Sequence, residues 1–185
     1  MRCIYLLRHG EPAVPGPGRW CLGSRSDWPL SRTGREQAEQ AAERLSAAQL
    51  TAVFSSPLQR CLQTAEAVSA RCGLPAAVRP ALAEIDMGLW DGRSFREIRG
   101  AWPQEYEARG LDLAHFRTPE GETFEECADR AEACLSAVTA ESAGNILLVT
   151  HAGWIRSLLC RRQGLPLDSL LSLPVPYGEF QILTI

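Results

Sequence analysis

The chain has 185 residues, enough for one domain with a buried core and too few for two of ordinary size. Hydrophobic residues make up 45% and charged residues 22%, an ordinary globular balance, and the net charge of −3 offers no general attraction to nucleic acid or to an anionic membrane. All 19 basic residues are arginines, which excludes a Walker-type lysine and lysine Schiff-base chemistry while leaving the planar fork that suits phosphate.

The first element is an apolar run, Ile4-Tyr5-Leu6-Leu7, that stops at Arg8-His9-Gly10-Glu11. This is the pattern of a buried strand delivering chemistry to its carboxyl end, where ligands gather in open parallel sheets. Pro12 to Gly18 is too rich in Pro and Gly for regular structure, and Arg19, Trp20, Ser24, Arg25 and Ser26 follow on the same loop. Thr33 with Glu36 fits a capping box and predicts a helix to about Ala48; Ala52 to Ser55 reads as a short strand. Ser56-Pro57 places proline in a first helical turn, and Leu58, Cys61, Leu62, Ala65 and Val68 keep helical spacing until Gly73. Arg60 then falls in the first turn after a strand. It is either one more solvated arginine on an amphipathic face or a cation beside the free N–H groups of a helix start.

Ala77 to Arg79 predicts a third strand, and in Leu82 to Gly92 apolar and acidic residues mix without helical period. Glu84 and Asp86 lie there among Leu, Ile, Met and Trp, as a proton-donating carboxyl group requires; the alternative is a rim carboxylate paired with an arginine. Ser94 to His115 reads as broken helix and a small cap, with Trp102, Tyr106 and Phe116. Thr123 and Glu126 form a second capping box, for a helix running to about Glu141 with Phe124, Cys127, Ala131, Cys134, Leu135 and Val138 as its core stripe. A second apolar strand, Asn145 to Thr150, ends in His151-Ala152-Gly153, so two of the three histidines share one context. A helix from Gly153 to about Arg162 and a β-like run from Glu179 to Ile185 complete the chain. Strands alternating with helices predict a three-layer α/β fold, a doubly wound, mostly parallel sheet flanked by helices, with the small cap inserted at about residues 94–118 of a single domain spanning 1–185.

The seven cysteines are scattered without a C-x-x-C pair, so neither a disulfide framework nor a metal site is expected. No signal-peptide pattern and no run of membrane-spanning length occur, and the expected location is the cytoplasm. The expected partner is a small molecule, with no nucleic acid, membrane or cofactor, and the chain is expected to act as a monomer or homodimer.

Leu7-Arg8-His9-Gly10-Glu11 resembles the signature of the histidine phosphatase superfamily, the phosphoglycerate mutase-like proteins. Also similar to it, in order, are Asp27-Trp28-Pro29-Leu30-Ser31 with Gly34 and Gln37-Ala38, Ser55 to Arg60 with Thr64-Ala65, Glu84 to Gly92, Gly121-Glu122-Thr123, and Val149 to Gly153. The resemblance implies that His9 attacks phosphorus to form a phosphohistidine, that Arg8, Arg60 and His151 hold the phosphoryl oxygens, and that Glu84, with Asp86 as rival, protonates the leaving alcohol and then activates water. It implies no metal. Pro12, Ala13, Val14 and Pro15 depart from the family's hydroxyl and asparagine after R-H-G, and Ser24 and Arg25 are the candidates to complete phosphate binding. The implied activity is a metal-independent phosphomonoesterase; the loop before Asp27 and the Glu84 segment are similar to α-ribazole phosphatases, which would make α-ribazole 5'-phosphate the substrate. A phosphoglycerate mutase and a noncatalytic phospholigand-binding module are the alternatives. The cap's aromatics, Phe95, Trp102, Tyr106 and Phe116, suit a weakly charged, nucleoside-like leaving group.

Overall fold

The computed structural model describes residues 2–185. Five strands, β1 (Cys3–Arg8), β2 (Leu50–Ser55), β3 (Ala76–Val78), β4 (Asn145–Thr150) and β5 (Phe180–Thr184), form one sheet in the order β3-β2-β4-β1-β5. The first four are mutually parallel and β5 runs antiparallel along β1. β4 is the centre of the sheet, and residues Ile146 to Val149 are fully buried, as a parallel strand covered on both faces must be.

The strand residues divide between the faces by alternation. Leu7, Val53, Leu147 and Val149 pack against helices α1 (Arg32–Leu45) and α2 (Gln59–Cys72) on one face. Ile4, Leu6, Ile146 and Leu148 pack against α5 (Phe124–Glu141) and α6 (Ala152–Gln163) on the other. The short helices α3 (Phe95–Ala101) and α4 (Pro103–Leu111) occupy the expected cap segment. Trp102, Tyr106 and Phe116 fix this segment to the main core, the rings of Tyr106 and Phe116 standing 6.2 and 6.1 Å from that of the buried Trp90.

Two helix starts differ from expectation. Ser31, not Thr33, caps α1: its Oγ accepts from Gly34 N and also donates to Glu11, while Glu36 pairs with Arg32 instead of closing a capping box. Helix α2 begins after Pro57, at Gln59, and its own cap residue, Leu58, has no side-chain acceptor; Asp27 supplies one from another loop, accepting from Gln59 N at 2.6 Å. The Thr123–Glu126 box is present as read. A further box, Ser94 with Glu97, starts α3 and was not part of the expected pattern.

Candidate active site

β1, β4 and β2 are neighbours, so their carboxyl ends bring Arg8-His9, His151 and Ser56 to one place. His9 is 4% exposed, and its ring centroid lies 5.0 Å from that of the fully buried His151. Nδ1 of His9 is 2.7 Å from the carbonyl oxygen of Gly10. A carbonyl can only accept, so Nδ1 carries the proton and Nε2 keeps its lone pair. Burial, with the nearby Arg60 and Arg8 charges, holds the His9 imidazole well below its ordinary pKa. Burial, Arg60 and His9 do the same for His151. Both rings are therefore neutral at pH 7.

Local packing makes this turn possible. Thr64 on α2 accepts from Gly10 N and donates to the Arg60 carbonyl, tying helix to loop. Gly10 and Gly34 meet backbone to backbone, where a Cβ on either would overlap the other segment. His151 shares a 2.7 Å hydrogen bond through Nε2 with Ser56, and the Cys61 sulfur lies 3.3 Å from the same nitrogen.

Arg60 is 1% exposed, which excludes the solvated-face reading. Its terminal nitrogens donate to the carbonyls of Ser26 and Gly23, and its Nε is buried without a partner among the described residues. Arg8 donates to the Val175 carbonyl and stacks 3.6 Å over the Tyr177 ring, and its Nε is likewise buried and unpartnered. Tyr177 stands 5.6 Å from His9, ring to ring, and no motif in the sequence points to it.

Glu84 is buried and accepts three backbone N–H groups: Ile85 and Trp154 at Oε1, 2.9 and 3.1 Å, and Gly153 at Oε2, 3.0 Å. Two of these donors belong to the first turn of α6, which favours a negative group. Arg130 of α5 fixes the segment before it by donating to the carbonyls of Ala81 and Ala83 while paired with Glu122 at 2.8 Å. Asp86, by contrast, is held by both forks of Arg25, at 2.8 and 3.0 Å.

That pairing engages the Arg25 guanidinium with Asp86. Arg25 is exposed and also donates to the Glu120 carbonyl, and Ser24 lines a smaller cleft with Asp86 and Glu122 that shares Glu84 with the main cavity. The structure brings together Arg8, His9, Arg60, Glu84 and His151, and it places Ser24 and Arg25 outside the main cavity.

That cavity, of about 570 Å³, is bounded by Arg8, Glu84, Gly153 and Tyr177 at its inner side. His9, Arg60 and His151 are not in its wall, although His9 follows Arg8 directly in the chain. The outer wall includes Arg19 and Leu171, both exposed, so the cavity reaches solvent. Of the cap's aromatics only Phe95 lines it. Among the described residues no group of three His, Cys, Asp or Glu is placed to hold a metal ion, and no helix is long and apolar enough to cross a membrane.

Comparison with known proteins places the chain among similar sequences and structures. The chain is 34% identical over 160 residues to a 6-phosphofructo-2-kinase/fructose-2,6-bisphosphatase of Gallus gallus; the match takes in 85% of this chain and 32% of that one, so the chain spans about a third of such relatives. It is 35% identical over 167 residues to a probable phosphoglycerate mutase of Proteus mirabilis, covering 88% of this chain and 75% of that one. Among solved structures, the α-ribazole phosphatase of Shigella flexneri superposes with a TM-score of 0.87 at 29% identity, covering 99% and 90% of the two chains. A mycobacterial glucosyl-3-phosphoglycerate phosphatase superposes at 0.86 and 28%, covering 100% and 91%. The family model described as "Histidine phosphatase superfamily (branch 1)" matches residues 4–185, and the chain belongs to that superfamily.

Proposed function

We propose that the protein hydrolyses a small phosphomonoester through a phosphohistidine on Nε2 of His9. The observation that carries this reading is the His9 imidazole itself, neutral, with its proton held by the Gly10 carbonyl and its ring within the charge influence of the buried Arg60 and the half-buried Arg8. The unpartnered Nε donors of Arg8 and Arg60 suit a phosphoryl group, whose oxygens accept what the protein leaves unbonded. In the first step Nε2 attacks phosphorus, the bond to the ester oxygen breaks, and Glu84 gives its proton to the departing alcohol. In the second, water attacks phosphorus, Glu84 takes the water proton, and the phosphorus–nitrogen bond breaks to restore His9. Arg8, Arg60 and His151 meet the charge that develops on the equatorial oxygens.

Two guanidinium charges and a hydrogen bond from the neutral His151 imidazole would stabilise that charge, so hydrolysis is expected without added metal, and excess EDTA should leave the rate unchanged. A cavity open to solvent favours hydrolysis over the mutase reaction, which must keep water from the phosphoenzyme. The α-ribazole phosphatase likeness makes α-ribazole 5'-phosphate one substrate to test, in a single cytoplasmic domain whose segment 94–118 caps the site. The deciding experiment is rapid quench with labelled phosphomonoester, which should trap an acid-labile, base-stable adduct on the wild type and none on His9→Ala. Equal labelling of the variant would defeat the proposal.

A further inference from the structure

The loop that follows Arg8-His9-Gly10 brings the phosphate site few donors. Pro12 and Val14 reach the cavity wall with neither a hydroxyl nor an amide side chain, and Ser24 and Arg25 are not in that wall. More of the grip on a phosphoryl group therefore falls to the two guanidinium groups, and these are held in different ways. Arg60 is buried, with its two terminal nitrogens fixed by the carbonyls of Ser26 and Gly23. Arg8 is half-buried at the cavity wall, and its side chain has one hydrogen bond among the described residues, from a terminal nitrogen to the Val175 carbonyl at 2.6 Å. One such bond fixes a single atom of a long side chain and leaves the plane of the guanidinium free to turn.

That plane is held by a ring. The guanidinium carbon of Arg8 stands 3.6 Å from the centre of the Tyr177 ring, a stacking distance, whereas the other arginine–aromatic pairs lie between 4.7 and 5.7 Å. Stacking restrains the plane and uses none of its N–H groups, so the donors at its edge stay free for an oxyanion; a carboxylate partner would compete for that same edge. Nε, buried and without a partner, is one of the donors left over.

The backbone fixes Tyr177 in this place. Gly178, at φ +69°, a value that suits glycine, donates its N–H to the carbonyls of Arg8 at 3.1 Å and His9 at 3.2 Å, and the Glu179 carbonyl accepts from Arg8 N at 3.0 Å. Residues 175–179 thus hold Arg8 from its main chain to its guanidinium, and the Tyr177 side chain is itself inner cavity wall.

We propose that Tyr177 is a positioning residue for phosphate binding: its ring, stacked on Arg8, keeps the edge of that guanidinium turned to the phosphoryl group that His9 attacks. The role belongs to the aromatic face, so phenylalanine can fill it and an aliphatic side chain cannot. It rests on the phosphomonoester reading for what Arg8 binds.

Calorimetry with inorganic phosphate as the probe tests this on the wild type, Tyr177→Leu, Tyr177→Phe, Arg8→Gln and the Arg8→Gln/Tyr177→Leu pair. Tyr177→Leu should weaken phosphate binding by about fivefold, the scale of an arginine–aromatic contact, and Tyr177→Phe should recover most of that loss. In the Arg8→Gln background the same leucine substitution should cost less than about twofold, since the group that the ring orders is gone, whereas a role in packing alone would weaken binding equally in both backgrounds. Where Arg8→Gln binds phosphate too weakly to read, the same cycle is run on kcat/KM for p-nitrophenyl phosphate. Thermal unfolding checks that each variant is folded, and Tyr177→Met replaces the leucine variant if that one is not. Binding by Tyr177→Leu as tight as the wild type, equal weakening by leucine and phenylalanine, or the full cost repeated without Arg8 would each overturn the inference, as would a wild type that binds no phosphate at millimolar concentration. Phosphate binding that depends on Tyr177 in a wild type that hydrolyses no ester would count against the phosphatase reading and leave the positioning role standing.

Discussion

Glu84 shows how much a single side chain's hydrogen bonds decide. Each carboxylate oxygen has two lone pairs. Those of Oε1 are both taken, by Ile85 N and Trp154 N, whereas Oε2 accepts only from Gly153 N. In the proposed mechanism Oε2 is therefore the oxygen that would carry the proton for the leaving alcohol. Glu84→Gln is expected to slow hydrolysis of an alkyl phosphate by about two to four orders of magnitude, and that of p-nitrophenyl phosphate far less, since phenolate leaves without a proton. Asp86→Asn should show no such dependence, because Asp86 is engaged by Arg25. Steady-state rates on the two esters check both statements; leaving-group dependence in the Asp86 variant alone would transfer the role. The choice between these carboxylates was open in the sequence because they are two residues apart in one irregular segment. Arg60 was equally ambiguous there, since its partners are the main-chain carbonyls of Gly23 and Ser26, which no residue type announces. Arg25 misled for the converse reason: a loop arginine near the site looked free, and its carboxylate partner lies 61 residues away.

At the scale of elements, the site is made by strand ends and helix starts, and the two kinds of signal were unequally readable. β1 and β4 are long apolar runs cut off by charged or glycine-bearing turns, so both their burial and their functional ends followed from composition. Helix starts depend on which of several competent residues wins. Ser31 and Thr33 are both cap formers, and Ser31 prevails because it also reaches Glu11 on the active-site turn. The start of α6 carries a separable test. A Cβ on Gly153 would lie 2.5 Å from Oε1 of Glu84, and the carboxylate is the part free to move. Gly153→Ala should displace Glu84 while leaving the fold intact, since alanine is favoured over glycine in a helix by about 1 kcal/mol and offsets part of the crowding. The expected outcome is a loss of about a hundredfold on alkyl phosphate, about 3 kcal/mol of barrier, with a melting temperature shifted by only a few degrees. A large fall in melting temperature with unchanged rate per folded molecule would show that Gly153 serves packing instead.

Across the whole molecule, a parallel sheet converges its central strands on one point and buries polar groups there at the expense of stability. His9, Arg60, Glu84 and His151 are all nearly inaccessible, and the other buried polar residues are serines and threonines without charge. The two imidazoles make this cost dependent on pH. Both are held well below the ordinary histidine pKa in the folded state, chiefly by burial and by Arg60. The unfolded chain, whose histidines titrate near 6.5, therefore binds more protons than the folded one as pH falls below that value. Stability rises with pH where the unfolded state holds the extra protons, so acidification from pH 7 should destabilise the protein, by up to about 1.4 kcal/mol per pH unit for each imidazole, until the folded-state pKa values are reached. His115, exposed and raised by its hydrogen bond and charge interaction with Asp112, acts in the opposite sense and weakly, being open to solvent. Urea unfolding at pH 7 and pH 5.5, on the wild type and on His9→Asn and His151→Asn, separates the contributions. Each substitution should flatten the acid-side slope, and the double substitution should remove most of it. The same depressed pKa keeps Nε2 of His9 unprotonated and nucleophilic well below pH 6.5, so catalysis should outlast stability on the acid side, with kcat/KM holding at pH values where the urea midpoint has already fallen. A rate that declines through pH 6.5 in step with an ordinary histidine, while the stability stays flat, would place a different, solvent-exposed group at the centre of the reaction.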